Sequence, residues 1–205
     1  MPDSPNRPPR LILASSSPYR RELLDRLHAP FDVVVPSIDE TPHAGEKPEV
    51  TALRLAELKA RKVASKLATN EFALVIGCDQ VATYDGLQIG KPGTHEKALA
   101  QLQAMRGREV LFHSALCLLD SASGLAQTAD VITRVQFRNL PDAALDAYLR
   151  AETPYDVAGS AKSEGLGITL LEAVHSDDPS ALVGLPLIAL SSMLLKVGYP
   201  LLGAQ

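Results

Sequence analysis

A chain of 205 residues with 46% hydrophobic and 21% charged residues has room for a core in one domain, and its composition excludes an intrinsically disordered protein. Lys+Arg 20 against Asp+Glu 24, a formal charge of -4, excludes a global basic field that would gather nucleic acid. Cys78 and Cys117 fit no zinc spacing and no disulfide framework, which points to reduced thiols in the cytoplasm.

The first nine residues carry four prolines among polar neighbours and read as a flexible tail over 1–9, ahead of a single domain over 10–205. Residues 11–14 are a short buried strand, closed by the turn cluster Ser15-Ser16-Ser17-Pro18. That strand is too short for a signal-peptide core. A helix is predicted over 19–27 from Leu23, Leu24 and Leu27, with Arg20 and Arg21 in its first turn. Two cations there oppose the helix dipole, at a cost of about a few tenths of a kcal/mol unless an anion sits nearby. Residues 31–35 read as a second strand and 36–48 as a loop containing Asp39-Glu40.

An amphipathic helix over 49–68 carries Lys59 in its middle. Residues 72–77 form a fully buried strand, and Cys78-Asp79-Gln80 follows it, so Asp79 is expected to end the strand. Residues 81–84 and 87–89 flank Asp85-Gly86 as a hairpin, and Gly90-Lys91-Pro92-Gly93 breaks the chain. Thr94 caps a helix to about 106, strands follow over 110–119 and 129–137, and Pro141 opens a helix to about 151. A glycine- and serine-rich segment over 157–167 leads to a strand over 168–174 and a last apolar helix over 186–196. The most apolar late stretch, residues 181–195, is shorter than the roughly 18 residues that suggest a membrane span. The order of elements predicts an α/β fold with a mixed sheet.

Standard catalytic templates are missing. The run Gly86-Leu87-Gln88-Ile89-Gly90-Lys91 has one residue too few for a phosphate loop, and Pro92 stands where the metal-binding hydroxyl belongs. His28, His43, His95, His113 and His175 share no spacing that would suit a metalloprotease or a histidine-served serine. What remains is a dispersed set of charges at element ends: Arg20, Arg21, Glu40, Lys59, Asp79, Lys91, Lys162 and Glu164. Several cations with two carboxylates suit a phosphate-bearing ligand and a divalent metal. Each alone is ordinarily a solvated charge. Asp79, after a core strand, is either a ligand or base position in an α/β crevice or part of an Asx turn.

The run 13–24, LASSSPYRRELL, resembles the opening of the Maf family of nucleotide pyrophosphatases. The likeness continues through Asp39-Glu40-Thr41-Pro42, Leu55-Ala56 with Lys59-Ala60, Gly77-Cys78-Asp79-Gln80, Gly90-Lys91-Pro92, Ala158-Gly159-Ser160 with Lys162-Ser163-Glu164-Gly165, and Val183-Gly184-Leu185-Pro186-Leu187. The resemblance implies a two-lobed α/β structure around a long mixed sheet, with a nucleotide in the cleft between the lobes. It implies attack of water on the α-phosphate of a nucleoside triphosphate, releasing a monophosphate and pyrophosphate. Asp79 is then the proton acceptor, and Glu40 and Asp79 are the contacts of a divalent cation, Mg2+ or Mn2+. Ser17, Arg20, Arg21, Lys59, Lys91 and Lys162 are then the phosphate-binding set. Whether Asp79 meets the water, the metal or both stays open.

Three positions separate the branches of that family. The branch acting on dTTP and UTP carries Arg, Thr and Gln where this chain has Tyr19, Gln80 and Glu164; the present trio resembles the branch that hydrolyses 7-methyl-GTP. N7-methylation makes guanine cationic and favours an aromatic face by about 0.5–2 kcal/mol, and a carboxylate at Glu164 would accept from guanine N1–H and N2–H2. The bland alternative has Tyr19 packed on its helix and Glu164 paired with Lys162. A broader nucleotide pyrophosphatase and a nucleotide-binding regulator of septum formation are the competing functions. The expected partner is a small-molecule nucleotide, with no nucleic acid and no membrane; oligomeric state is open, a homodimer included.

Overall fold

The computed structural model describes residues 8–68 and 71–203. Most of the expected tail, 1–7, lies outside the described residues. Seven strands form one mixed sheet: β1 (Arg10–Ala14), β2 (Phe31–Val33), β3 (Ala73–Tyr84), β4 (Leu87–Ile89), β5 (Glu109–Asp120), β6 (Ala126–Phe137) and β7 (Leu171–His175). Five helices accompany them: α1 (Pro18–Asp25), α2 (Pro48–Ala64), α3 (His95–Met105), α4 (Asp142–Glu152) and α5 (Leu187–Lys196).

The sheet order is β2-β1-β3-β5-β6-β7, with β4 on β3. β2, β1 and β3 run parallel, and every other pair is antiparallel. Residue alternation along β3 and β5 divides the core. Leu74, Ile76, Leu116 and Leu118 pack with Leu23, Leu24, Leu190 and Leu194 of α1 and α5. Farther along the same face, Ala82, Val110 and Phe112 pack with Leu102, Met105, Leu145 and Leu149 of α3 and α4. The opposite face, with Val75, Ala115 and Cys117, takes Ala52, Ala56, Ala60 and Val63 of α2. Two helical lobes therefore share one face of a long sheet, as the two-lobed α/β expectation requires.

Several boundaries differ from the sequence reading. β3 is unbroken from Ala73 to Tyr84, so Asp79 lies in the middle of a strand and does not end one. The reason is long-range pairing: β5 matches β3 from Leu74↔Asp120 to Thr83↔Leu111, and its ladder carries the strand through the polar triplet. α2 stops at Ala64, with the Ser65 N–H bonded back to Arg61. Residues 166–170 form a 3-10 turn, so β7 starts at Leu171 instead of residue 168.

Candidate active site

The edge of β3 that faces β1 is only partly covered. β1 accompanies it as far as Ala14↔Gly77, and β4 joins it only from Ala82↔Ile89. Residues 78–81 lie in the gap, and successive side chains there point to opposite faces. Asp79 turns toward α2, Gln80 toward the two-lobed face, and both line one cleft of about 520 Å³.

Ser15, Ser16 and Ser17 carry the chain from β1 into the gap. Ser17 caps α1, its Oγ accepting the Arg20 N–H at 3.4 Å, and its own N–H donates to Ser15 Oγ at 3.1 Å. Pro18 suits the first helical position because the N–H it lacks would be unpaired there. Ser17, Tyr19 and Arg20 line the cleft. Arg20 is fixed by two main-chain acceptors: Nε donates to Gly184 O at 2.9 Å and Nη1 to Cys78 O at 3.0 Å. The guanidinium is thus aimed by backbone from two distant segments.

Lys59 reaches the gap from the other face. Gly77 makes this possible, since a Cβ there would meet Ala56 O at 2.1 Å and Ala60 N at 2.9 Å. Helix and strand are backbone to backbone, and Lys59, three residues after Ala56 and one before Ala60, is brought to Asp79 on the same strand. Lys59 is 5% exposed, against the ordinary expectation for a mid-helix lysine. Its Nζ donates to Asp79 Oδ1 at 2.7 Å and lies 2.9 Å from Glu40 Oε1. Burial lifts the Asp79 carboxyl above its usual value, opposed by the ammonium of Lys59 and by Arg20. Asp79 Oδ2 has no protein donor among the described residues.

Glu40 sits in the loop before α2, which Glu46 ties down. The Glu46 carboxylate accepts from Arg54 Nε at 2.6 Å and Nη2 at 2.7 Å, from Thr51 Oγ1 at 2.9 Å and from the His43 N–H at 3.0 Å. Arg54 above all holds Glu46 down at about 2.

The second lobe contributes Ile89 at the end of β4, Gly90 and Lys91 just after it, and Asp156, Val157 and Ala158 after α4. Eight sequence-predicted residues therefore meet in one cleft: Ser17, Tyr19, Arg20 and Glu40, with Lys59, Asp79, Gln80 and Lys91. Three do not line it. Arg21 is exposed and borders a surface hollow with Asp25, Phe31 and Asp32, because consecutive helical residues point about 100° apart and Arg20 takes the cleft side. Lys162 lies beside the cleft, its Nζ 5.8 Å from the centroid of the Tyr19 ring. Glu164 is exposed and accepts from Ser163 Oγ at 3.4 Å. The loop bearing both is fastened to α4, since the Lys162 N–H donates to Tyr148 Oη at 3.1 Å and the Leu166 N–H to Glu152 Oε2 at 3.0 Å.

Gln80 is anchored more firmly than its sequence position suggested. Its Nε2 shares two N–H donors among Ser114 Oγ at 3.0 Å, Ala181 O at 3.1 Å and Leu182 O at 3.0 Å. It thus holds the 3-10 turn Ala181–Val183 that leads to Gly184. Asp178 fixes the other side of this turn: it is 3% exposed, and its Oδ2 accepts from the first N–H groups of α5, Ile188 at 2.7 Å and Ala189 at 3.2 Å. Sequence reasoning missed Asp156 as a cleft carboxylate and Asp178 as a support. The second had a signal in the Asp178-Pro179-Ser180 turn ahead of an apolar helix; the carbonyls that aim Arg20 had none.

A family model described as Maf-like protein matches residues 10–197. A protein from Paraburkholderia xenovorans (strain LB400) named 7-methyl-GTP pyrophosphatase is 82% identical over 205 residues, 100% of each chain. Proteins of the same name from Burkholderia lata and Cupriavidus metallidurans are 71% and 69% identical, covering 98% and 96% of this chain and 96% and 97% of their own. The matched span opens with the first residue of β1 and closes just past α5, the entire framework that builds the cleft: this chain belongs to the Maf family.

Proposed function

We propose that this protein hydrolyses 7-methyl-GTP to 7-methyl-GMP and pyrophosphate in the cytoplasm. The observation that carries the reading is Asp79, with Oδ1 held by Lys59 and Oδ2 without a protein donor among the described residues, in a cleft that also gathers Arg20 and Lys91. A triphosphate resists nucleophiles through its own charge, which these cations offset. Water attacks the α-phosphorus, its proton passes to Asp79 Oδ2, and the bond from the α-phosphorus to the bridging oxygen breaks, with its electrons leaving on pyrophosphate. Lys59 keeps the other carboxylate oxygen in place and opposes the effect of burial on Asp79.

The donors also fit a divalent cation. Two carboxylates, Glu40 and Asp79, already converge on one positive charge at Lys59 Nζ. Among the described residues no third His, Cys, Asp or Glu joins them; Mg2+ or Mn2+ held by the two carboxylates would complete its shell with water and phosphate oxygens. Such a cation would neutralise phosphate charge.

For the base, Tyr19 supplies an aromatic face that already attracts the ammonium of Lys162, the same affinity that favours a cationic, N7-methylated guanine. The names of the relatives support the same substrate. Pyrophosphate release from 7-methyl-GTP, GTP, UTP and dTTP tests the reading: the expected result is the highest kcat/KM for 7-methyl-GTP, and a preference for UTP or dTTP refutes it.

A further inference from the structure

Two hydrogen-bonded ties connect α3 with the second-lobe wall of the cleft. The first starts at His95, whose Nε2 lies 2.8 Å from Asp146 Oδ1 and whose Nδ1 lies 3.0 Å from Tyr155 Oη. A carboxylate only accepts, so Nε2 carries the ring proton, and Arg150 Nε holds the other oxygen of Asp146 at 2.7 Å. The rings of His95 and Tyr155 meet edge to face with centroids 6.1 Å apart. The carbonyl of Tyr155 then accepts the Gly93 N–H at 3.0 Å. The second tie runs through Gln101: Ser160 Oγ donates to Gln101 Oε1 at 2.6 Å, and Gln101 Nε2 donates to Gly90 O at 3.0 Å.

The anchor points form a pattern. Gly90 and Gly93 bracket Lys91, while Tyr155 and Ser160 bracket Asp156, Val157 and Ala158, and each tie joins one end of the first strip to one end of the second. Both strips line the cleft. Without the ties, Gly90 and Gly93, the latter at φ +74, would act as hinges on either side of the stiffer Lys91-Pro92 pair. Ser160 itself is held at φ 55, a left-handed conformation uncommon for serine, and is fully buried. Neither His95 nor Gln101 lines the cleft.

We propose that His95 and Gln101 are positioning residues that dock the Lys91 loop onto the Asp156 segment, so that the second-lobe wall stands preset when the nucleotide enters. The proposal rests on the pyrophosphatase reading of the cleft. Asp79, Lys59 and Arg20 belong to the first lobe and its sheet, so loss of a tie falls mainly on binding and costs the chemical step only part of the charge that Lys91 lends it.

The test uses His95→Phe, Gln101→Leu and His95→Gln in the full chain, with two readouts. Hydrogen–deuterium exchange without nucleotide is expected to quicken about tenfold at residues 90–93 and 155–160 in the first two variants, with β1 and β3 unchanged. KM for 7-methyl-GTP is expected to rise about tenfold while kcat stays within about twofold. His95→Gln restores both readouts, because its amide donates to Asp146 and accepts from the Tyr155 hydroxyl. Unchanged exchange at Gly93, or a fall in kcat with faster exchange throughout the chain, overturns the proposal. A wild-type protein without triphosphate hydrolysis refutes the functional reading instead, and exchange at Gly93 then decides the ties alone.

Discussion

Lys59 Nζ lies 2.7 Å from Asp79 Oδ1, an ammonium from the middle of a helix meeting a carboxylate from the middle of a strand, both almost fully buried. The pair leaves Oδ2 of Asp79 as the oxygen available to a water molecule. Replacing the acid by its amide retains shape and removes the proton acceptor. Asp79→Asn is expected to lower kcat on 7-methyl-GTP by about 10²–10⁴, while far-UV circular dichroism stays that of the wild type. Turnover within tenfold of wild type would remove Asp79 from the reaction.

The Lys59–Asp79 contact depends on a residue that brings no side chain to it. Gly77 admits the backbone of α2 to a distance no side chain allows, since its Cβ would lie 2.1 Å from Ala56 O. Gly77→Ala must push helix from strand, at a cost of about 1–3 kcal/mol in stability. It also carries Lys59 away from Asp79. Urea unfolding and kcat should fall together; a variant of wild-type stability would mean the helix yields freely.

The outline of this molecule was legible where local pattern and long-range packing agree. β1, α1, the Thr94 cap of α3 and α5 stand within a few residues of their predicted places. Asp79 shows where legibility stopped: a polar triplet reads as the end of a strand, and only the ladder to β5, thirty-odd residues downstream, carries β3 through it. The cleft side of α1 is a similar case. Arg20 and Arg21 are equivalent by residue type, and the carbonyls of Cys78 and Gly184 that separate their roles carry no signature in sequence. Motif resemblance brought the cleft residues together on paper because it encodes the tertiary contacts that periodicity cannot.

Gln80 has a structural task besides facing the cleft. Its amide serves Ser114, Ala181 and Leu182, and a threonine is too short to reach all three. Ala181 O keeps the Ser114 hydroxyl, so Gln80→Thr is expected to cost about 1–3 kcal/mol through the Leu182 carbonyl left without its donor. A thermal midpoint equal to wild type would show that the turn Ala181–Val183 is held by Asp178 and Ser114 alone.

Base selection should follow position in the cleft. Tyr19 and Gln80 line it, whereas Glu164 is exposed at its side. Tyr19→Arg with Gln80→Thr is expected to move the ratio of kcat/KM toward UTP and dTTP by about tenfold or more. Adding Glu164→Gln should change the ratio less than the first two together. If Glu164→Gln alone produces most of the shift, the loop over 162–165 closes on the base during binding.

A partly buried histidine–carboxylate pair lies away from the cleft and sets a pH dependence of stability. His113 Nδ1 is 2.7 Å from Asp130 Oδ2, joining β5 to β6 on the face covered by α2, with Glu49 the other carboxylate that acts on the ring. The Asp130 carboxylate raises the imidazolium above its usual 6.5, burial opposing. The folded state therefore binds this proton more tightly than the unfolded chain. The stabilisation is present in full below 6.5 and is lost as pH rises through the raised value. Urea unfolding at about pH 6 and about pH 8.5 should show the wild type losing stability across that interval, and His113→Gln should lose less. Equal losses in the two proteins would place the dependence on other groups and leave the His113–Asp130 pair without a role in it.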